Sequence, residues 1–374
     1  MITIDPTQLD AAGKKLLFDL INQAEDNEIA AGKHTLSCSE NTQDIFLVHP
    51  LLITEKTATC VHAEVLAKPF ESGSYGSVML SLGKIKSEND MSFQERAPEK
   101  QQVIKRIALS RMPEKRIHKE ALRTQLANES LRCKEPVFSQ AYGFLRMRKA
   151  GDMDLFKLHR RLLKNRIELS LLQYLDISLA LVKAVDELHE KGRIHRDLKP
   201  ENIMITLSPL TVKLIDFAFS CPKSKKEGKT IKGTLPFLPP EAFYKIKVSV
   251  AGDIFSLGMT LAEFWGDCSL DHIKERDFDC FEKYYSHRKA EKLKLFTGMT
   301  VPSEIADPLN ELLHGMIRFD PDKRPPLKTV MSTLASLIEL EKQYLAQQSD
   351  HQDDVQEVSE KDETPGPELP VRVG

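Results

Sequence analysis

The segment Ile194-His-Arg-Asp-Leu-Lys-Pro-Glu-Asn-Ile-Met204 crowds carboxylate, ammonium and amide groups into one short loop. Asp197 offers a carboxylate that can orient a hydroxyl and accept its proton. Lys199, two residues on along an extended stretch, puts positive charge beside the same reaction. Asn202, five after Asp197, and Asp216, nineteen after it, supply hard oxygen donors suited to Mg2+. Between them, ITLSPLTVKLI reads as a short hairpin that returns Asp216 to the side of Asn202. Such a set suits phosphoryl transfer, which asks a protein mainly for positioning and for neutralising developing charge. A merely polar loop after a helix accounts for none of this order.

The same run, followed by Val212-Lys-Leu-Ile-Asp-Phe217, resembles the catalytic loop and metal-binding strand of the eukaryotic-type protein kinases. That resemblance implies Asp197 as catalytic base, Lys199 at the γ-phosphate, and Asn202 and Asp216 as ligands of Mg2+, with Mn2+ as the alternative ion. Phe70-Glu-Ser-Gly-Ser-Tyr-Gly-Ser-Val78 is similar to the family's glycine-rich loop, with Glu71 at the first glycine position. Gly73, Ser74, Tyr75, Gly76 and Val78 are then expected around ATP. Val103-Ile-Lys105 matches the lysine strand, which puts Lys105 on the α- and β-phosphates. Its carboxylate partner should be Glu120, fifteen residues on, because Glu114 is too near and Glu129 too far. Thr124 stands one turn later, where the family has an apolar residue. GFLRMRKAGDMDLFKLHRR fits the strand and hinge, with Met147 and Met204 beside the adenine and Asp154 reaching the ribose hydroxyls or a substrate side chain.

Gly233-Thr-Leu-Pro-Phe-Leu-Pro-Pro-Glu241 is similar to the family's substrate-docking loop, with Pro239 in place of alanine. By the same resemblance Asp253 should bond the backbone of the catalytic loop, and Arg324 should pair with Glu241. Lys199 and Thr234 go with serine/threonine specificity in this family. Arg196 is placed to receive a phosphate on Thr230, with Ser220 and Ser224 as rival sites. The implied activity is transfer of the ATP γ-phosphate to protein Ser/Thr hydroxyls. The alternative is a pseudokinase scaffold, since Ala218 replaces the glycine of Asp-Phe-Gly and Glu71 the first loop glycine. A small-molecule phosphotransferase fits less well, because the docking loop is a protein-kinase feature.

The elements that must hold these groups divide into two lobes. Residues 8–31 carry Leu16, Leu17, Leu20 and Ile21 at helical spacing and end at Gly32. From Ile45 to about Lys105 the pattern shortens into strands, with IKSENDMSFQERAPEK between two of them as an exposed hairpin insertion. Beyond Arg111 the chain turns mainly helical, and SLLQYLDISLALVKAVDELHEKG has the spacing of a half-buried helix stopping at Gly192. The expected fold is α+β and bilobal: a small antiparallel β-rich N-lobe with one regulatory helix, then a larger, mainly helical C-lobe. The expected divisions are an N-terminal helical extension with an extra strand over 1–59 and a kinase domain over 60–340. Within that domain the N-lobe covers about 60–147, the hinge 148–151 and the C-lobe about 152–340. From Ala346 the last 29 residues hold eight acidic and two basic side chains, three prolines and no aromatic, the composition of a disordered tail.

Composition narrows the partners. Lys+Arg is 53 against Asp+Glu 55, so no global field favours nucleic acid or a membrane surface. No apolar run reaches the roughly 18–20 residues of a membrane span, and Met1 to Asp10 lacks the pattern of a secretory signal. Six scattered cysteines without a Cys-x-x-Cys pair argue against a disulfide framework or a zinc site and for a reducing, cytoplasmic location. The acidic tail is similar to glutamate-rich secretion tails of effector kinases from intracellular bacteria; a plain solvating tail is the alternative. Basic residues from Arg146 to Arg166 invite an acidic protein partner, against the alternative of a solvated helix face.

Overall fold

The computed structural model describes residues 1–37, 42–57, 60–73, 76–87, 90–225, 227–228, 230–267 and 293–361. The chain begins with strand β1 (Ile2–Ile4), helix α1 (Ala11–Gln23), β2 (Glu28–Ile29), β3 (Gly32–Ser37), β4 (Thr42–Leu47) and β5 (Leu51–Lys56). The expected single helix over 8–31 is therefore shorter. Asp10 caps its start, accepting from the amide of Gly13 at 2.6 Å, and the chain has turned into strand by Glu28. Five strands stand where one extra strand was expected. The pattern hid them because β2 has only two residues and β3 alternates on one face, with Leu36 its one buried side chain.

Next come β6 (Val61–Leu66), β7 (Glu71–Gly73), β8 (Gly76–Ser87), β9 (Met91–Glu95), β10 (Gln102–Ala108), α2 (Glu114–Ala127), β11 (Val137–Phe138) and β12 (Tyr142–Arg148). Their sheet runs in the order β11-β12-β10-β8-β6-β5-β2, with β7 and β9 also paired to β8. The polar insertion forms the β8–β9 hairpin, Gly83 opposite Glu95 and Ser87 opposite Met91. A separate three-stranded sheet, β1-β4-β3, lies beside it. One apolar core joins the two, since Leu17 and Ile21 of α1 pack with Ile45, Val61, Val65 and Ile85. The N-terminal extension is thus built into the small lobe.

The second lobe holds β13 (Met153–Asp154), α3 (Leu155–Leu163), α4 (Leu171–Glu190), β14 (Arg193–Ile194), β15 (Ile203–Leu207), β16 (Leu210–Leu214) and β17 (Cys221–Pro222). It closes with α5 (Pro240–Lys245), α6 (Val250–Phe264), α7 (Ser303–Met316) and α8 (Leu327–Lys361). Ser170 and Gln173 form a reciprocal capping box on α4. Helix α6 is apolar nearly all round and runs through the core. At Gly258 a β-carbon would stand 2.8 Å from that of Met316, so glycine is what lets α6 and α7 approach. Trp265 is fully buried; its indole N–H donates to Ser178 Oγ at 3.0 Å and its ring meets Tyr174 at 5.1 Å.

Helix α8 continues to Lys361 through the first part of the segment whose composition suggested disorder. No glycine or proline interrupts that stretch before Pro365, so nothing local stops the helix. Residues 362–374 lie outside the described residues. Among the described residues no helix is long and apolar enough to cross a membrane. Because α1 shares a core with the sheet, Ile21→Ala should lower stability by about 2–5 kcal/mol. Urea unfolding followed by far-UV dichroism checks this: the whole small lobe should melt earlier, with no separate early transition for the extension.

Candidate active site

Lys105 lies mid-strand on β10, opposite Val78 of β8 and Leu145 of β12. Its ammonium meets Glu120 Oε1 at 2.7 Å and Asp216 Oδ2 at 3.4 Å. Glu120 is buried on the inner face of α2, among Ile117, Ala121 and Thr124. The Thr124 hydroxyl donates to the Glu120 carbonyl at 2.9 Å, so a polar residue sits at this buried position without a lost hydrogen bond. Burial pulls the Lys105 ammonium down, but the carboxylates of Asp216 and Glu120 outweigh it and hold it well above the usual lysine range. Burial pushes Glu120 up against the pull of Lys105. For Asp216 burial acts upward too, yet Lys105 and the Ala218 amide bring the carboxyl below its usual range. Lys105 and Asp216 are therefore charged at neutral pH.

The catalytic loop is held from beneath by Asp253. Its fully buried carboxylate accepts from the amides of His195 at 2.7 Å and Arg196 at 2.9 Å, and from His189 Nε2 at 2.9 Å. His195 donates from Nε2 to the Ile215 carbonyl at 3.0 Å, joining the loop to the strand that ends at Asp216. The Ile215 amide donates to the Asn202 carbonyl at 3.0 Å. Asn202 turns its amide nitrogen to Asp197, donating to the backbone carbonyl at 2.8 Å and to Oδ2 at 3.2 Å. Thr234 Oγ1 donates to Asp197 Oδ1 at 2.8 Å. Lys105 is thus paired with Asp216, Asn202 with Asp197, and the Ile215 backbone joins the two pairs. Lys199 follows in extended backbone at φ −161° and ψ 161°, half-buried. Arg324 grips Glu241 with two bonds of 2.8 Å, fixing α5 to the chain before α8.

Other expected nucleotide contacts divide. Gly73 and Gly76 face each other at the base of the β7–β8 hairpin, whereas Ser74 and Tyr75 at its tip lie outside the described residues. Gly76 is glycine for a packing reason: a β-carbon there would collide with the Arg106 carbonyl. Met147, opposite Val103, is half-buried and touches the cores of both lobes; Met204 is half-buried on β15. Asp154 is differently employed. It is buried, accepts from the Lys157 amide at 2.7 Å as N-cap of α3, and holds the Lys157 ammonium at 2.9 Å. Asp152, exposed two residues earlier and paired with Lys149 at 3.0 Å, is the accessible carboxylate of this stretch; the sequence reading passed over it.

Beyond Asp216, whose φ of 59° is left-handed, the chain makes a 3-10 turn over Phe217–Phe219. Ala218 itself has no left-handed φ, so alanine enters here without strain. Its carbonyl accepts a short hydrogen bond from Arg123 of α2. Phe217 is buried 5.1 Å from the His195 ring. Thr230 is exposed, and Gly228 lies between it and Arg196: a β-carbon on Gly228 would meet the Thr230 carbonyl at 3.2 Å and the Arg196 guanidinium at 3.4 Å. Ser220, a rival site, is buried and accepts from Arg193 Nε at 3.3 Å; Ser224 is exposed. Burial and the neighbouring Arg116, Arg196, Arg123 and Lys225 press Lys232 below the usual lysine range. The basic run from Arg146 to Arg166 does not act as one unit. Arg146 belongs to the small-lobe sheet, Lys157 is paired with Asp154, and Arg160, Arg161, Lys164 and Arg166 are exposed at or just after α3.

A protein kinase domain model matches residues 73–334. The chain is 33% identical over 152 residues to an Aurora kinase of Debaryomyces hansenii, covering 40% of this chain and 34% of that protein. It is 26% identical over 274 residues to an Aurora kinase of Schizosaccharomyces pombe, covering 71% and 69%. A probable serine/threonine-protein kinase of Dictyostelium discoideum is 29% identical over 164 residues, covering 43% and 36%. The chain spans about a third of the length of several of these curated relatives. With a curled antiparallel small lobe, a helical large lobe and this match, the chain belongs to the eukaryotic-type protein kinase family.

Asp253 supplies a stability test. Burial acts to raise its carboxyl, and the bonds from His189, His195 and Arg196 outweigh this and depress it. A depressed native carboxyl contributes stability that is complete above the unfolded value of about 4 and lost as pH falls through the native one. Asp253→Asn should therefore cost about 2–4 kcal/mol at pH 7 and flatten the loss of melting temperature between pH 5 and pH 3, as calorimetry at a series of pH values would show.

Proposed function

We propose that this protein is an ATP-dependent protein serine/threonine kinase. The observation that carries this reading is that Glu120, Lys105 and Asp216 form one ion group, while Asn202, bonded to Asp197, is tied by its backbone to Ile215, the residue before Asp216. Asp197 accepts the proton of the attacking hydroxyl; its Oδ1 is oriented by Thr234 and its Oδ2 by Asn202. Lys105, held by Glu120, binds the α- and β-phosphates, and Lys199 lies on the γ-phosphate side. Asp216 and the free oxygen of the Asn202 amide fit Mg2+ or Mn2+, because both are hard donors and the Asn202 nitrogen is turned away to Asp197. Bound there, the nucleotide would supply the phosphoryl group and the metal would offset charge on the phosphates. Val78, Met147 and Met204 line the base site, and Gly73 and Gly76 carry the loop over the phosphates.

Serine or threonine as acceptor rests on Lys199 and on the Thr234–Asp197 bond, and on the description of the Dictyostelium relative as a probable serine/threonine-protein kinase. Asp197→Asn should lower phosphate transfer from radiolabelled ATP by about 10²–10⁴-fold and leave nucleotide binding by calorimetry unchanged. A wild-type protein that binds Mg-ATP and labels neither itself nor generic substrates would overturn the kinase reading in favour of a scaffold. Label found mainly on tyrosine would overturn the acceptor assignment alone.

Regulation follows from the cations beside the segment after Asp216. Arg116, Arg123, Arg196 and Lys225 all lie close enough to influence Lys232, and Thr230 is exposed across Gly228 from Arg196. A phosphate there carries roughly −1.5 to −2 charge and would join them. Thr230→Ala should lower activity of protein isolated in its phosphorylated state, while Ser224→Ala should not; phosphopeptide mapping with activity assays decides. Equal activity in the two variants speaks against Thr230. Charge reversal at Arg160 and Arg161 tests the acidic-partner surface of α3: loss of one substrate with generic activity kept is the supporting result.

A further inference from the structure

The face of the small-lobe sheet turned away from Lys105 carries a second group of charges. Glu64 on β6 stands opposite Lys84 on β8, and the pairing slips between Val65 and Leu66, so that Leu66 meets Ser81. That slip brings Lys84 and Ser81 to one face, where Ser81 Oγ donates to Glu64 Oε2 at 2.7 Å. Arg96, just past β9, donates to both oxygens of Glu64, at 2.6 Å to Oε1, and from Nε to Ser81 Oγ at 3.1 Å. Ser81 lies opposite Gln102 of β10, and Ile104, two residues further on, lies opposite Arg146 of β12. Alternation along β10 therefore puts Arg146 on the face of Ser81 and Lys105 on the other. Lys134 donates its amide to the Arg146 carbonyl at 2.9 Å.

The charges on this face do not cancel. Glu64 is fully buried, and Arg96 and Ser81 already occupy both its oxygens. Among the described residues Lys84, Lys134 and Arg146 make no ion pair. The exposed Glu135 beside Lys134 turns to His118 at 3.7 Å. Arg146 keeps its Nε enclosed without a partner, and a terminal nitrogen reaches the Glu135 carbonyl at 3.5 Å. An enclosed donor left without an acceptor is costly, so this guanidinium is poised for one. Burial, with Lys86, Arg96 and Arg146, presses Lys84 below the usual lysine range; burial, with Arg146, Arg96 and Lys84, does the same to Lys134. Glu64 opposes both shifts and does not overcome them.

We infer that Lys84, Lys134 and Arg146 form a site for a phosphate group, one tetrahedral dianion set against three uncompensated cations. The Arg146 fork suits two phosphate oxygens, and the two lysines add compact positive charge. Lys84 and Arg146 are half-buried and Lys134 is exposed, so the site opens to solvent on one side. It lies across the sheet from Lys105, apart from the cleft, and stands independently of the kinase reading. Strands β8 and β12 flank β10, so an anion held by Lys84 and Arg146 would bridge the two neighbours of the Lys105 strand. Linear spacing hides the site, because its members come from three separate segments.

The test uses the full chain at constant ionic strength, with Mg2+ and a non-hydrolysable ATP analogue present to occupy the cleft. Inorganic phosphate and glycerol 3-phosphate are the probes, and calorimetry should show saturable binding. Lys84→Met and Arg146→Met should each weaken it by about 10–100-fold, whereas Arg160→Met, on α3, should leave it unchanged. Circular dichroism shows whether each variant is folded. In the wild-type protein, phosphate should also slow acylation of Lys84 by an N-hydroxysuccinimide ester, followed by peptide mass spectrometry. Similar binding of the two probes supports a phosphate monoester as ligand, and binding of inorganic phosphate alone supports the free ion. A folded wild-type protein with no saturable binding overturns the proposal. So does an equal loss in Arg160→Met, or a Lys84 acylated at the same rate with and without phosphate.

Discussion

Everything in the small lobe that matters to chemistry is arranged around one buried ammonium. Lys105 stands where a strand, a helix and the large lobe meet, and two carboxylates from different elements share it. A charge taken out of water is costly unless it is paired and bonded on several sides. Glu120 and Asp216 meet that requirement only if α2 packs against β10 and β12 and the strand after β16 reaches the cleft. Each of these placements thus depends on the others. The ion group is weak as a source of stability and strong as a constraint on geometry, which is the use a binding cleft has for it.

The large lobe answers with a second buried anion. Asp253, on a largely apolar helix, takes up two backbone amides and a histidine. Without it the loop from His195 to Asn202 would carry unpaired donors into the core, at a cost of roughly 1–3 kcal/mol each. With it, Arg196 can hold its left-handed φ of 72° and Asp197 is presented at a fixed angle. The Arg324–Glu241 pair does similar work for the docking loop. Arg196, Asp253 and Glu241 are each supported by a partner remote in sequence.

Legibility in the sequence followed the same division. That Lys105 would meet Asp216, and Asn202 meet Asp197, was legible because phosphoryl-transfer chemistry asks for those residue types at that spacing. Glu120 followed from spacing, since few acidic residues could reach Lys105 from the next helix. Asp154 was read as a ligand-binding carboxylate, and its capping of α3 could not be told from sequence, because the two uses look alike in one dimension. Gly76 was read as room for phosphates, when the closer reason is the Arg106 carbonyl behind it. Strands β1 and β2 escaped notice because two or three residues have no period to detect, and β3 because Leu36 is its one buried side chain. The acidic segment before Lys361 was judged by composition, which reports on packing and says little about whether a helix already begun will stop.

Ala218 shows how a departure from the family pattern can be absorbed. Glycine after Asp-Phe would give this turn backbone freedom, and alanine withdraws part of it. Here the residue lies in a 3-10 turn without a left-handed φ, and its carbonyl is held by Arg123 from the same helix that carries Glu120. Helix α2 therefore grips the segment at two points, through Glu120 and Lys105 to Asp216 and through Arg123 to Ala218. Moving α2 outward would have to break both at once. Reduced freedom at Ala218 and the added Arg123 bond act in one direction, toward a segment that stays with Asp216 facing the cleft.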